Sequence, residues 1–114
     1  MIWQDASHLR GIQQYGWYMQ NENEKYGDDR ALFLNYPRYR QMIFHCLISI
    51  CVEAKGLSAE FREATGDQVE WAYMDQFQRE LFRESDADPE MLWELAKNSV
   101  PKLLAFCKAQ LHRE

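Results

Sequence analysis

The segment from Pro37 to Gly56 constrains the fold of this chain more than any other stretch of its sequence. One set of its residues recurs at alternating steps of three and four, the spacing of a single helix face: Tyr39, Met42, Ile43, Cys46, Leu47, Ile50, Cys51 and Ala54. A second apolar line consists of Phe44, Ile48 and Val52. Proline favours the first helical turn and glycine the residue after the last, so the pattern predicts a helix over 37–56. Because most of its circumference is apolar, we expect neighbouring helices on most of its sides.

The remaining sequence carries enough helix signals to supply these neighbours. We predict further helices over residues 5–26, 28–35, 58–66 and 67–84, and a last one from residue 88 onward. No segment alternates with a period of two for long enough to favour a strand. The sequence therefore predicts an all-α fold over residues 1–114, a compact single-domain bundle of about five to six helices around a central buried helix 37–56. A chain of 114 residues is long enough to form one stable hydrophobic core, but two separate cores would each be too small.

The predicted helix starts depend on residues that can cap a first turn. Asp5 or Ser7 can cap the first helix and Ser58 the one after the central helix. Asp67 with Glu70 three residues later has the form of a capping box. Asp88 precedes a first-turn proline and an acid, which together indicate a clear helix start.

Because glycine and proline occur inside two of the helical patterns, the sequence does not decide whether these helices are continuous. Gly11 and Gly16 each cost about 1 kcal/mol relative to alanine in a helix interior. We expect them to permit close approach of another helix, with a break at Gly16 as the alternative. Pro101 interrupts the last helical pattern, and we expect either two consecutive helices or one kinked helix with a single continuous apolar face.

Composition restricts the environment and the chemistry of the protein. The three cysteines, Cys46, Cys51 and Cys107, lie in apolar patterns and are predicted to be core residues in a reducing compartment. No secretion signal or bilayer-spanning run is recognisable, so we expect a cytoplasmic protein without a membrane partner. The Glu-x-x-His signature of di-iron bundles and zinc-finger spacings are absent, and no cofactor or metal is predicted.

The charge is concentrated in the second half of the chain. Residues 57–94 contain eleven acidic and three basic side chains, a net charge of −8, whereas the whole chain carries −5. Helix starts explain part of this excess, but they do not explain Asp75, Glu80, Glu84 and Asp86. Aromatic residues lie near these acids, which is typical of recognition surfaces. The residues predicted to bind a partner are therefore Trp71, Asp75, Glu80, Phe82, Glu84, Asp86 and Trp93.

One short motif favours an enzyme instead. The segment from Arg40 to His45 resembles the arginine, four residues, histidine motif of the HEPN ribonucleases, which are small all-helical domains. The resemblance covers six residues and the fold class, and it implies a dimer in which Arg40 and His45 of two copies cleave RNA. The acidic balance of the chain disfavours a nucleic-acid partner.

The preferred hypothesis is a small non-enzymatic protein that binds and occludes another protein with a basic surface. In size and character the chain is similar to immunity proteins, antitoxins and phage-encoded inhibitors. Its acidic segment would then accelerate encounter by electrostatic steering. The alternatives are the HEPN-like ribonuclease and a structural subunit of a larger helical assembly, for which exposed apolar surface would cause self-association.

Overall fold

A computed structural model describes residues 1–83 and 88–112, and these form helices joined by short turns, with no strand among them. The helices are α1 (Trp3–Lys25), α2 (Arg30–Asn35), α3 (Pro37–Lys55), α4 (Ala59–Ala64), α5 (Trp71–Arg83), α6 (Pro89–Glu94) and α7 (Val100–Leu111). One π turn, Leu95–Ser99, connects α6 to α7. The prediction of an all-α helical bundle is confirmed.

Helix α3 lies at the centre of the bundle and contacts α1, α2, α5 and α6. One side of α3 is buried and supplies much of the core: Tyr39, Ile43, Cys46, Leu47, Ile50, Cys51 and Ala54. On the opposite side Met42 and Val52 are exposed, and Phe44 and Ile48 are only partly buried. Val52 of the second apolar line and Met42 of the first were therefore wrongly expected to be covered, whereas Phe44 and Ile48 pack against the core.

The two glycines of α1 lie where other helices come close to its backbone. A Cβ atom on Gly16 would lie 2.5 Å from Leu104 Cδ2, and one on Gly11 would lie 2.6 Å from the Glu53 carboxylate. A side chain at position 16 would therefore clash with Leu104 of α7, whereas one at position 11 would displace the flexible end of Glu53 of α3. Helix α1 is continuous through Gly16, so close approach is confirmed and the alternative of a break is wrong.

The start of α1 differs from the prediction. The helix begins at Trp3, and Asp5 lies inside its first turn as a buried residue. Its two carboxylate oxygens accept hydrogen bonds from the backbone N–H and the hydroxyl of Ser58, each at 2.7 Å. Asp5 therefore joins α1 to the start of α4 and does not cap its own helix, because Ser58 offers two donors at the same place.

Two predicted helix starts are confirmed and one is wrong. The Ser58 hydroxyl accepts a hydrogen bond from Phe61 N–H at the start of α4, and the Asp88 carboxylate accepts one from Glu90 N–H at the start of α6. The predicted capping box at Asp67 does not form, since α5 begins only at Trp71. Residues 65–68 instead form a turn, in which the Thr65 carbonyl accepts hydrogen bonds from the backbone N–H groups of Gln68 and Val69.

The last helical segment accommodates Pro101 without a break. Proline has no N–H to donate and its ring crowds the carbonyl four residues earlier. The π turn immediately before α7 widens the helix there, and Leu95 and Val100 keep helical backbone angles. The extra residue in the π turn brings Val100 into the buried line and leaves Ser99 exposed. The face remains continuous, as predicted, and buries Leu92, Ala96, Val100, Leu103 and Cys107.

Aromatic side chains fill much of the core. In one cluster Tyr39 stacks on Tyr26 at 4.4 Å and meets the edge of Phe33, which in turn contacts Trp93. The Tyr39 hydroxyl donates a hydrogen bond to the buried Asn23 side chain, and burial is the main cause that raises the pKa of Tyr39 to about 12. The three cysteines are also buried and free, and burial raises the pKa of Cys107 to about 12. This placement agrees with the predicted packing role of the cysteines.

Candidate protein interface on helix α1

The two tryptophans predicted to anchor a partner belong to the core. Trp71 is only 5% exposed, and its ring N–H donates a hydrogen bond to the Thr65 hydroxyl at 3.0 Å. Its ring also contacts those of Phe61 and Phe106. Trp93 is 8% exposed and packs against Phe33. Both tryptophans were predicted to contact a partner, but neither is accessible to one in this conformation.

The predicted acidic site residues are divided between an internal ion pair and the surface. Both Asp75 carboxylate oxygens accept hydrogen bonds from the Arg62 guanidinium, at 2.7 and 2.9 Å. Glu80 is exposed and accepts a hydrogen bond from Gln76. The remaining predicted residues, the side chain of Phe82 together with Glu84 and Asp86, lie outside the part that the structure describes. Asp75 is thus neutralised within the protein, which weakens the case for it as a contact to a basic partner.

The Arg62–Asp75 pair gives a pH-dependent prediction. The hydrogen bond from Arg62 is the largest cause that holds the pKa of Asp75 below its ordinary value of 3.8. A lowered folded-state pKa means that the unfolded chain binds more protons, so this stabilisation is complete above pH 3.8 and is lost as the pH falls through the folded-state value. We expect Asp75→Asn to lose about 2 kcal/mol of unfolding free energy at pH 7.

Urea unfolding of the two proteins across a pH series measures this effect. The difference between wild type and Asp75→Asn should shrink towards zero as the solution is acidified below pH 3.8. A difference that stays constant down to pH 2 would contradict the role of the ionised carboxylate.

The residues of the HEPN-like motif do not converge within one chain. Arg40 is partly buried and donates hydrogen bonds to the carbonyls of Leu34 and Phe33 at the end of α2, at 2.7 and 3.4 Å. His45 is exposed on α3. Five residues of helix separate the two side chains by about 140° around the axis. The ribonuclease alternative stays a prediction that requires a second copy. The observed hydrogen bonds show that Arg40 joins α3 to the end of α2.

An exposed aromatic face on α1 is the surface that the sequence interpretation did not recognise. Trp3 is 73% exposed, Trp17 is 58% exposed, and Tyr18 is also exposed. Arg10 lies between the two tryptophans on the same side of the helix, because residues seven apart differ by only about 20° in direction. Trp, Tyr and Arg are the residue types that most often dominate binding energy at protein interfaces.

The first five turns of α1 carry few charged residues, and the charged residues Glu22, Glu24 and Lys25 follow only in its last turn. Among residues 1–21, which the structure describes in full, the only Asp, Glu, Lys or Arg residues are Asp5 and Arg10, and Asp5 is buried. The other exposed positions on this side are neutral polar residues: Ser7, Gln14 and Asn21. In a protein with 27% charged residues, such depletion is unusual, and it is typical of the centre of an interface. We call Trp3, Ser7, Arg10, Gln14, Trp17, Tyr18 and Asn21 the α1 face.

The α1 face was predictable in part from the same periodicity that located the core. Leu9, Ile12, Gly16 and Met19 define the buried side of α1, and all four are buried. Trp17 lies about 120° from the centre of that side, given about 100° per helical residue. This position in the helical period places Trp17 near solvent.

A groove elsewhere on the molecule has a less specific lining. It has a volume of about 450 Å³ and lies between α3, α5 and the π turn with α7. Its apolar floor includes Leu47, Ile50 and Phe77, and its edge carries both Glu70 and Lys102. Volumes of this size occur in ligand sites. Charges of both signs at the edge select no particular ligand, so the α1 face is the stronger candidate.

Comparisons with known proteins give no match: no family model, curated protein or solved structure is significantly similar to this chain. Among the described residues, no three or more His, Cys, Asp or Glu side chains are grouped so that they could hold a metal ion. None of the helices in the described ranges combines the length and apolar character needed to cross a bilayer. The class that the fold and this surface define is therefore an all-α bundle with an aromatic, nearly uncharged face on α1.

Proposed function

We propose that this protein is a small protein-binding module that acts by occluding its partner, and that the α1 face anchors the contact. The observation that carries the proposal is the exposure of Trp3 and Trp17 on one side of α1, while the other two tryptophans are buried. Exposure of an indole ring to water is unfavourable in free energy, and its burial by a partner is favourable. A binding module of the immunity-protein, antitoxin or inhibitor kind is the function that this surface supports best.

The acidic surface is a second candidate contact, supported by a separate observation. Glu60, Glu63, Asp67 and Glu70 are all exposed, on α4 and on the segment that joins it to α5. The one base within this stretch, Arg62, is already paired with Asp75. The negative charge of these residues would attract a basic partner and accelerate its association. The association rate should then fall as the salt concentration increases.

Partner capture with matched variants tests the proposal. Immobilised wild-type protein is incubated with native lysate, and bound proteins are compared with those on Trp3→Ala/Trp17→Ala and on Glu60→Gln/Glu63→Gln/Glu70→Gln. A partner anchored by the α1 face should be lost on the first variant and retained on the second. With the purified partner, we expect Trp17→Ala to weaken the Kd about thirtyfold, equivalent to about 2 kcal/mol.

The opposite pattern would overturn the assignment of the surface. Loss on the acidic variant alone would move the contact to the α4 surface. If both variants retained every specific partner, the proposed binding function of these surfaces would be refuted. Circular dichroism of each variant must match wild type, so that lost binding is not confused with lost folding.

A further inference from the structure

The exposed residues of α1 repeat with the spacing of a helix-pairing seam. Trp3, Arg10 and Trp17 follow one another at steps of seven, and Ser7, Gln14 and Asn21 lie four residues after each of them. All six positions are exposed. Two interleaved sets at steps of three and four form the stripe through which one helix packs along another. We propose that the α1 face binds an amphipathic helix of the partner that carries an acidic side chain opposite Arg10; this inference rests on the proposed function.

The dimensions and side chains of the seam define the partner helix. Trp3 and Trp17 are fourteen residues apart, which is about 21 Å along the helix axis. A partner helix must therefore contact α1 over about four turns. The large indole rings require small or apolar residues opposite them, whereas Gln14 and Asn21 require polar partners that fix the register. Arg10 lies midway, and its guanidinium requires a carboxylate once the partner covers it.

Charge disfavours some registers of the simplest occupant, a second copy of this chain. Arg10 lies midway between Trp3 and Trp17, so an antiparallel pair of α1 helices centred on this residue would place Arg10 against Arg10. A parallel pair in register would do the same. Two guanidinium groups brought together in a desolvated contact repel each other. When the contact is centred on Arg10, the seam therefore favours a different chain with an acid at that position.

The same residues disfavour a lipid surface. Helices that lie in a membrane interface combine a continuous apolar side with several lysines or arginines on the polar side. The α1 face alternates tryptophans with neutral polar residues, and it has Arg10 as its one charged member. An acidic protein is also repelled by the anionic lipids that attract such helices.

Local contacts organise the C-terminal half of the seam before binding. The Tyr18 ring lies 5.4 Å from that of Trp17 and 6.3 Å from that of Tyr15. Its hydroxyl accepts a hydrogen bond from Gln14 at 3.1 Å. Side chains that are already ordered lose less conformational entropy when a partner covers them. Trp17 and Tyr18 are accordingly the part of the face expected to contribute most.

A display library of three-heptad helical peptides tests the inference directly. The residues that face the seam are randomised, and selection is performed on wild-type protein and on Arg10→Glu. We expect Asp or Glu to be enriched at the central facing position on wild type, and Lys or Arg on Arg10→Glu. A selected peptide should bind the matching protein at least about tenfold more tightly than the charge-reversed one.

Each other outcome identifies a different failure. Failure to select any binder, or selection of the same central residue on both proteins, overturns the helix proposal. The proposed function survives that result if the natural partner still requires Trp3 and Trp17. Dimers of wild type in sedimentation analysis that dissociate in Trp17→Ala would instead assign the face to a second copy. Binding to anionic vesicles that Trp17→Ala abolishes would assign it to a membrane.

Discussion

Trp71→Ala is expected to lose about 3–5 kcal/mol of unfolding free energy, the largest loss that we predict for this protein. Its ring is almost fully buried, fills the space between Phe61 and Phe106, and lies 5.7 Å below the Arg62 guanidinium. Removal leaves a cavity and deprives the Thr65 hydroxyl of its donor. Since small domains are stable by only about 5–15 kcal/mol, the variant should be partly unfolded at 37 °C.

The matched control is the same substitution on the α1 face. Trp17→Ala removes an exposed ring, so the free energy of unfolding should change by no more than about 0.5 kcal/mol. Urea unfolding followed by circular dichroism compares the two variants, and Trp71→Phe, which retains a ring, should lie between them. Equal stability of Trp71→Ala and Trp17→Ala would contradict the burial pattern. The comparison therefore separates the tryptophan that holds the fold from the one available for binding.

Asp5→Ala is expected to have the second-largest effect, a loss of about 3 kcal/mol of unfolding free energy. The buried carboxylate accepts two short hydrogen bonds from Ser58, and hydrogen bonds to a charged group each contribute about 1.5–3 kcal/mol. The substitution also leaves the Ser58 backbone N–H without its acceptor. Because the contact joins residues 53 positions apart in the chain, α4 should loosen from α1.

Two further variants identify the source of this loss. Glu24→Ala changes an exposed acid of the same helix and should leave the stability within about 0.5 kcal/mol of wild type. Ser58→Ala combined with Asp5→Ala should cost less than the sum of the single substitutions, because both remove the same interaction. Amide hydrogen exchange should show faster exchange in α4 of Asp5→Ala. Unchanged protection of α4 would contradict the proposed link.

Local signals predicted the helices well, because capping and periodicity act over a few residues. Ser58 and Asp88 cap helices as their side-chain chemistry indicates, and the central helix ends where Gly56 indicates. Asp67 has the same local form and caps nothing. In its place the turn at Thr65 directs Trp71 into the core, an arrangement that only contacts with distant residues such as Phe106 make favourable.

The candidate site was harder to predict, because exposure depends on which neighbours a helix acquires. Clustered acids and aromatics indicated a surface around Trp71 and Trp93, but both rings pack on residues from other helices. The sequence placed Asp75 among the free acids, whereas Arg62 of α4 binds it. Only the assembled bundle distinguishes an acid available to a partner from one already neutralised.

By itself the sequence determined that the chain is helical, where most of its helices begin, and which residues share a side of each. These properties follow from backbone hydrogen bonding and from the direction of side chains along one helix. The tertiary structure alone decided which sides meet. Gly16 and Leu104 bring α1 against α7, and this packing leaves Trp3, Arg10 and Trp17 in solvent. Burial is a property of the whole packed chain, since every helix can cover only the neighbours that the turns bring within reach.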